Sequence, residues 1–201
     1  MSAVPAPFAA LLLAGGMSSR MGQDKAQLPW LSVPLWQMQA RKLKALQPEQ
    51  LLIACRQEQA LHESVPPDLA DAEWLFDLPG QGNGPLLPIL NALRHAGAPL
   101  LVLAVDMPEM TAAFLREMLD QRPGAALFFR TAEGIEPLGG IYTPSLIPLM
   151  EKAVEESRFS LRRLIGRAAD LGLAMVLPLS SADAALFANA NTPGEWRKVA
   201  R

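Results

Sequence analysis

The residues best suited to chemistry lie close together in the run LAGGMSSRMGQDK, from Leu13 to Lys25. Gly15 and Gly16 carry no Cβ, so backbone N–H groups there can approach an anion that a side chain would hold away. Ser18 and Ser19 add hydroxyls, and Arg20 and Lys25 add opposing positive charge. A phosphate-bearing ligand is the natural occupant. The P-loop pattern is excluded, because no Gly-Lys-Ser/Thr ending occurs and Lys25 follows Asp24. The dinucleotide fingerprint is excluded too, since no G-x-G-x-x-G can be laid over Gly15, Gly16 and Gly22.

Asp106-Met107-Pro108 is a second constellation, placed where the most strand-like segment of the chain ends. One carboxylate there suits a divalent cation, because Mg²⁺ takes one or two protein carboxylates and fills its shell with phosphate oxygens and water. An isolated Asp-x-Pro would read as a turn or a helix cap. Beside a glycine loop it reads as a metal ligand. The single cysteine, Cys55, excludes an internal disulfide or a thiolate metal cluster, and its place at the end of an apolar run makes it a buried thiol. His62 and His95 fall on helical segments away from any motif and read as surface or internally satisfied side chains.

The spacing of LAGG, Ser18, Arg20-Met21-Gly22 and Asp24-Lys25 resembles the signature of the nucleotidyltransferases related to molybdenum cofactor guanylyltransferase, the MobA family. The resemblance continues through Asp77, Gly84-Pro85-Leu86, Asp106-x-Pro108, Glu136-Pro137-Leu138 and Asn189-x-Asn191-Thr192-Pro193. It implies GTP and molybdopterin as substrates, Mg²⁺ as cofactor, and transfer of GMP with release of pyrophosphate. By the same resemblance, backbone groups of Leu13, Ala14, Gly15 and Gly16 meet the nucleotide. Arg20 and Lys25 neutralise its phosphates, Asp77 contacts it, and Asp106 holds Mg²⁺. Glu136 and Pro137 face the acceptor, and Asn189 or Asn191 completes the metal shell, binds the acceptor, or caps a helix. Transient contacts with other cofactor-biosynthesis proteins and with recipient molybdoenzymes are implied as well.

Three positions depart from the pattern: Ile53 where the family has an asparagine, Leu87-Pro88 where it often has Ala-Gly, and Met107 inside Asp-x-Pro. CTP with the same acceptor, and sugar phosphates as acceptors, are alternatives within the class. A nucleotide-binding regulatory module without catalysis is the alternative outside it. An acceptor phosphate is already ionised, so no general base is needed, which fits the lack of a Ser-His-Asp or Cys-His arrangement. Catalysis then rests on positioning and charge neutralisation.

The elements that must position these residues follow from length and pattern. At 201 residues, half of them hydrophobic, the chain suits a single α/β domain spanning 1–201. A formal charge of −2 gives no footprint for nucleic acid or an anionic membrane. No run reaches transmembrane length, and no basic residue precedes the apolar stretch Ala3 to Leu13, so a cytoplasmic protein without a signal peptide is expected.

Strand-like runs at Ala9–Leu13, Leu51–Cys55, Trp74–Phe76, Pro99–Val105, Ala125–Arg130, Leu138–Tyr142 and Leu173–Leu177 alternate with helical segments. The helical segments are Pro34–Leu46, Gln57–Ser64, Pro85–Ala96, Thr111–Gln121, Pro144–Glu156, Ser160–Ala169 and Pro193–Val199. Arg41, Lys42 and Lys44 are expected on a solvated helix face. The alternation predicts a three-layer, mostly parallel, doubly wound sheet of the Rossmann-like nucleotidyltransferase type. Ligands bind such sheets beyond the strands' carboxyl ends, where the glycine loop and Asp106 both fall.

Overall fold

Strand β1 (Ala9–Leu13) is apolar at every position, and only its last residue escapes full burial. A strand covered on both faces reads as a continuous apolar run, and β1 is laid in the middle of the sheet. In the computed structural model, which describes residues 7–16, 24–30, 32–77, 84–121 and 124–189, the chain then forms a short antiparallel pair, β2 (Pro29–Trp30) and β3 (Val33–Pro34). Helix α1 (Leu35–Lys44) leads to β4 (Gln50–Arg56) and β5 (Glu73–Asp77). Helix α2 (Leu86–Ala96) precedes β6 (Leu100–Ala104), and α3 (Ala112–Asp120) precedes the hairpin β7 (Ala126–Thr131) and β8 (Gly134–Tyr142). Helices α4 (Ile147–Glu155) and α5 (Leu161–Asp170) and strand β9 (Ala174–Pro178) follow.

The main sheet has the order β5-β4-β1-β6-β8-β7-β9, and β8 alone runs against its neighbours. Two apolar layers close over it. Leu12, Ile53 and Leu103 pack with α1 and α3 through Trp36, Leu43, Leu115 and Met118. On the other face Leu11, Leu52 and Val102 pack with α2, α4 and α5 through Leu90, Leu93, Met150, Leu164 and Ile165. Full burial of each such side chain contributes about 1.5–3 kcal/mol. The expected three-layer, mostly parallel sheet is what forms.

Local chemistry sets the helix ends. Thr111 caps α3 by accepting the Phe114 N–H at 3.2 Å, and Gly97 closes α2 in the left-handed region at φ 60°. Pro88 is tolerated because it lies in the first turn of α2, where its missing N–H has no partner to lose. Ser160 stands at the start of α5 but its side chain makes no capping bond. The expected helix at Gln57–Ser64 is instead two 3₁₀ turns, Gln57–Gln59 and Leu61–Ser64. Ala60 interrupts them in the left-handed region at φ 50°. The run expected to start a helix at Pro144 opens as a 3₁₀ turn, Pro144–Leu146, before α4 begins. Among the described residues, no helix is long and apolar enough to cross a membrane.

Candidate active site

The sheet topology opens a crevice beside β1. The chain builds β4 and β5 outward on one side of β1, then returns to place β6 on the other, with α1 and α2 on opposite faces. The carboxyl ends of β1 and β6 therefore face a gap between diverging connections, the usual ligand position in such sheets. The glycine run leaves β1 there and Asp106 leaves β6 there.

Lys25 opens a 3₁₀ turn, Lys25–Gln27, whose N-cap is Asp24; Asp24 Oδ1 accepts the Ala26 N–H at 3.0 Å. From that turn the Lys25 ammonium reaches across the crevice to within 3.4 Å of Asp106 Oδ2. Their side chains are 15 and 25% exposed, so the two charges are largely shielded yet open towards the crevice. The two motifs thus meet. Asp106 presents a partly exposed carboxylate at the rim, a donor that could hold a divalent cation. That donor set fits Mg²⁺, which draws its remaining oxygens from phosphates and water.

The two glycines lack a Cβ for different reasons. At Gly15 a Cβ would lie 2.5 Å from Asp77 Oδ2 and 3.4 Å from Cys55 Cα, so the loop lies directly on β4 with the Asp77 carboxylate against it. At Gly16 a Cβ would meet nothing within 4 Å, and the residue is exposed. The Ala14 N–H donates to the Ala54 carbonyl at 2.8 Å, so the sheet takes this donor. Asp77 ends β5, level with Arg56 on β4. Burial pushes its carboxyl above the usual carboxylate range, Arg56 opposes that shift, and Glu58 adds to it.

Beneath Asp106 lies an apolar floor. Met107 is buried, and its methyl, with Met110 and Phe187, crowds the space a Cβ on Gly139 would occupy, at 3.2, 3.3 and 3.0 Å. Gly139 also has φ +87°, so a side chain there is excluded twice over. The departure at Met107 is therefore a packing solution, its side chain filling the space left by Gly139. Ile53 is fully buried in the core opposite Leu12 and Trp74, so that position faces no crevice; the rim residue of β4 is Arg56.

On the far side, Glu136 accepts from Arg162 at 3.2 Å and from Thr131 at 3.4 Å, and the Pro137 carbonyl accepts the Tyr142 hydroxyl at 2.9 Å. Both residues are tied to their own scaffold. Asn189 is exposed, two residues beyond Phe187, which packs edge-on against Phe114 with ring centroids 5.6 Å apart. Arg20 and Asn191 lie outside the described residues, as do Ser18 and the expected helix Pro193–Val199. Cys55 is buried, and burial pushes its thiol up to about 12, which excludes a nucleophile. His95 pairs with Glu73 at 2.8 Å, and His62 stacks edge-on with Phe76 and Trp74.

Three supporting residues were missed by sequence reasoning. Gln39, fully buried on α1, donates to the Met107 carbonyl at 2.7 Å and lies 3.4 Å from those of Ala104 and Val105. One turn later Lys42 donates to the Pro108 and Met110 carbonyls at 2.6 and 2.7 Å. Lys42 is thus no solvated-face cation, since burial lowers its ammonium to about 8. Arg41 and Lys44 do stay at the surface, engaged by Asp68 and Asp71. The third is Gln59, buried behind the glycine run, whose side chain bonds Ala14 and Asp24. A polar side chain in an otherwise apolar helix face, as at Gln39, was the available signal; Gln59 offered none.

Comparison with known proteins is consistent with this geometry. Residues 10–171 match the model of the MobA-like NTP transferase domain. A "probable molybdenum cofactor guanylyltransferase" of Opitutus terrae is 32% identical, over 96% of this chain and 95% of its own length. One of the same name from Synechococcus elongatus is 33% identical, over 96 and 97%. Among solved structures, molybdopterin-guanine dinucleotide biosynthesis protein A of Archaeoglobus fulgidus has the same fold, with a TM-score of 0.74, 24% identity and coverage of 95 and 96%.

Proposed function

The chain belongs to the MobA-like NTP transferase family, and from that membership and its crevice we propose that it transfers GMP from GTP to the terminal phosphate of molybdopterin. The observation that carries this reading is the meeting of Lys25 and Asp106 beside Gly15 and Gly16, at the carboxyl rim where β1 and β6 part. The nucleotide lies over the open Gly16, its base towards Asp77 and its phosphates towards Lys25. Asp106 holds Mg²⁺, which when bound neutralises the triphosphate. Arg20 adds a further positive charge, and Glu136, Pro137, Asn189 and Asn191 serve the acceptor. The acceptor phosphate attacks the α-phosphorus in line with departing pyrophosphate, and the protein's task is to hold both ends still while Lys25 stabilises charge on the phosphates.

Thermal unfolding with GTP, CTP, ATP and UTP, each with and without Mg²⁺, tests the base and the metal. GTP at a hundred times its Kd stabilises by roughly 2.7 kcal/mol, which for a chain of this size raises Tm by about 5–10 °C. A shift with GTP, and pyrophosphate released only when molybdopterin is added, is the expected result. A CTP preference would move the assignment to a cytidylyltransferase, a shift without pyrophosphate release to a regulatory module, and no shift at all would overturn the nucleotide site.

Asp77 gives a separable prediction. Its carboxyl is raised by burial, so the fold binds its proton more tightly than the unfolded chain does. Its contribution to stability is therefore greatest in acid and is lost as pH rises through the raised value, leaving an ionised group that costs stability near neutrality. Asp77→Asn should leave Tm at pH 7 unchanged or higher, while weakening GTP about 10- to 100-fold through loss of a charged hydrogen bond. A lowered Tm with unchanged GTP affinity would reverse that assignment.

A further inference from the structure

Gln59 bonds both ends of the glycine run with one amide group. Its Nε2 donates to the Ala14 carbonyl at 2.9 Å and to Asp24 Oδ2 at 2.7 Å. Its Oε1 accepts the Arg56 N–H at 2.8 Å, and its own carbonyl accepts from Gln27 Nε2 at 2.9 Å. Gln59 is 4% exposed, and its bond to Ala14 is fully buried while the others are partly so, a setting in which an unpaired amide would be costly. Only an amide supplies two donors and an acceptor in this geometry; a carboxylate cannot donate, and an apolar chain does neither.

The three partners belong to the three parts of the site. Ala14 begins the glycine run, Asp24 caps the turn that carries Lys25, and Arg56 stands level with Asp77. With Oδ1 on Ala26 and Oδ2 on Gln59, both oxygens of Asp24 are engaged, and the backbone on either side of Lys25 is pinned. We propose that Gln59 is a positioning residue for nucleotidyl transfer: it fixes the Lys25 turn relative to Gly15 and Asp77, so that the ammonium arrives opposite Asp106 without touching the nucleotide itself. This inference rests on the function proposed above, in which Lys25 neutralises the triphosphate.

The test uses the full chain carrying Gln59→Leu, Gln59→Glu, or Gln59→Glu with Asp24→Asn, assayed for pyrophosphate release with GTP, Mg²⁺ and molybdopterin. Misplacing a catalytic group by about 1 Å can cost on the order of 100-fold, and loss of a supporting hydrogen bond typically costs about 10- to 100-fold. Gln59→Leu should lower kcat about 10- to 100-fold, with KM for GTP changed far less. Gln59→Glu, which sets a second carboxylate against Asp24, should be worse, and adding Asp24→Asn should recover part of that loss. Amide hydrogen exchange gives the readout independent of turnover: in Gln59→Leu it should rise in peptides covering residues 24–30 and stay at the wild-type rate in β6. Activity of Gln59→Leu within twofold of wild type, an Asp24→Asn addition that recovers nothing, or exchange raised equally throughout the sheet would each overturn the proposal. A wild-type chain that releases no pyrophosphate would instead remove the function proposed above, and the exchange comparison would still decide whether Gln59 holds the turn.

Discussion

Asp106→Ala should reduce pyrophosphate release by about 10³-fold or more while leaving the protein folded. The scale follows from what the carboxylate does: a cation held there supplies several kcal/mol of charge stabilisation, and about 1.4 kcal/mol is tenfold in rate. The fold should survive because the Lys25–Asp106 pair is partly exposed at 3.4 Å, and such pairs contribute at most about 1 kcal/mol. The loop backbone is held instead through its carbonyls, by Gln39 and Lys42, and the Met107 side chain stays packed over Gly139. The measurement is kcat at saturating GTP and Mg²⁺, beside a melting curve and Mn²⁺ binding in the presence of GTP. Activity within tenfold of wild type would remove Asp106 from the metal site, and so would unchanged Mn²⁺ affinity.

The second large effect is at Lys25. Lys25→Ala should cost roughly 2–4 kcal/mol of transition-state stabilisation, as for loss of one preorganised donor to a developing oxyanion, or about 30- to 1000-fold in kcat/KM. Lys25→Arg should recover little, because a planar fork cannot replace a compact ammonium within 3.4 Å of Asp106 Oδ2 on so short a turn. If Lys25 acts on charge developing in the transition state, kcat falls with kcat/KM; if it only binds ground-state triphosphate, KM rises and kcat holds. A kcat unchanged at saturation would confine Lys25 to binding.

What could be read from the sequence was what is local. The apolar run ending in two glycines, the Asp24-Lys25 step and the strand-ending Asp106 each announce themselves within a few residues, and the topology brings Lys25 and Asp106 together from 81 residues apart. The strand-and-helix alternation was equally plain, because each element carries its own apolar period. Less visible was β8, which begins at Gly134 and not Leu138, since Glu136-Pro137 breaks the apolar pattern that marks a strand. Gln39 left only the trace of a polar side chain on an apolar helix face, and Lys42 and Gln59 left none: each is an ordinary polar residue whose task exists only once groups from another element lie beside it. Lys42 reads as one of three surface cations until α1 is seen packed along residues 108–110. Near Gln57–Ser64 the helical pattern was real, but Gln59 turns inward and Ala60 takes the left-handed region, which divides the run.

The sheet order has a consequence for how the molecule is made. β1 leaves the ribosome first, yet one of its edges is covered by β6, whose Ala104 lies opposite Leu13. At about 5–20 residues per second, roughly 5 to 18 s of synthesis separate the two. Through that interval a strand apolar on both faces keeps one unpaired edge, the kind of surface that invites mispairing with other chains. The crevice has only one wall until β6 arrives. Lys25 likewise meets Asp106 only after β6 has been made, so the pairing that joins the two motifs is among the later contacts to form.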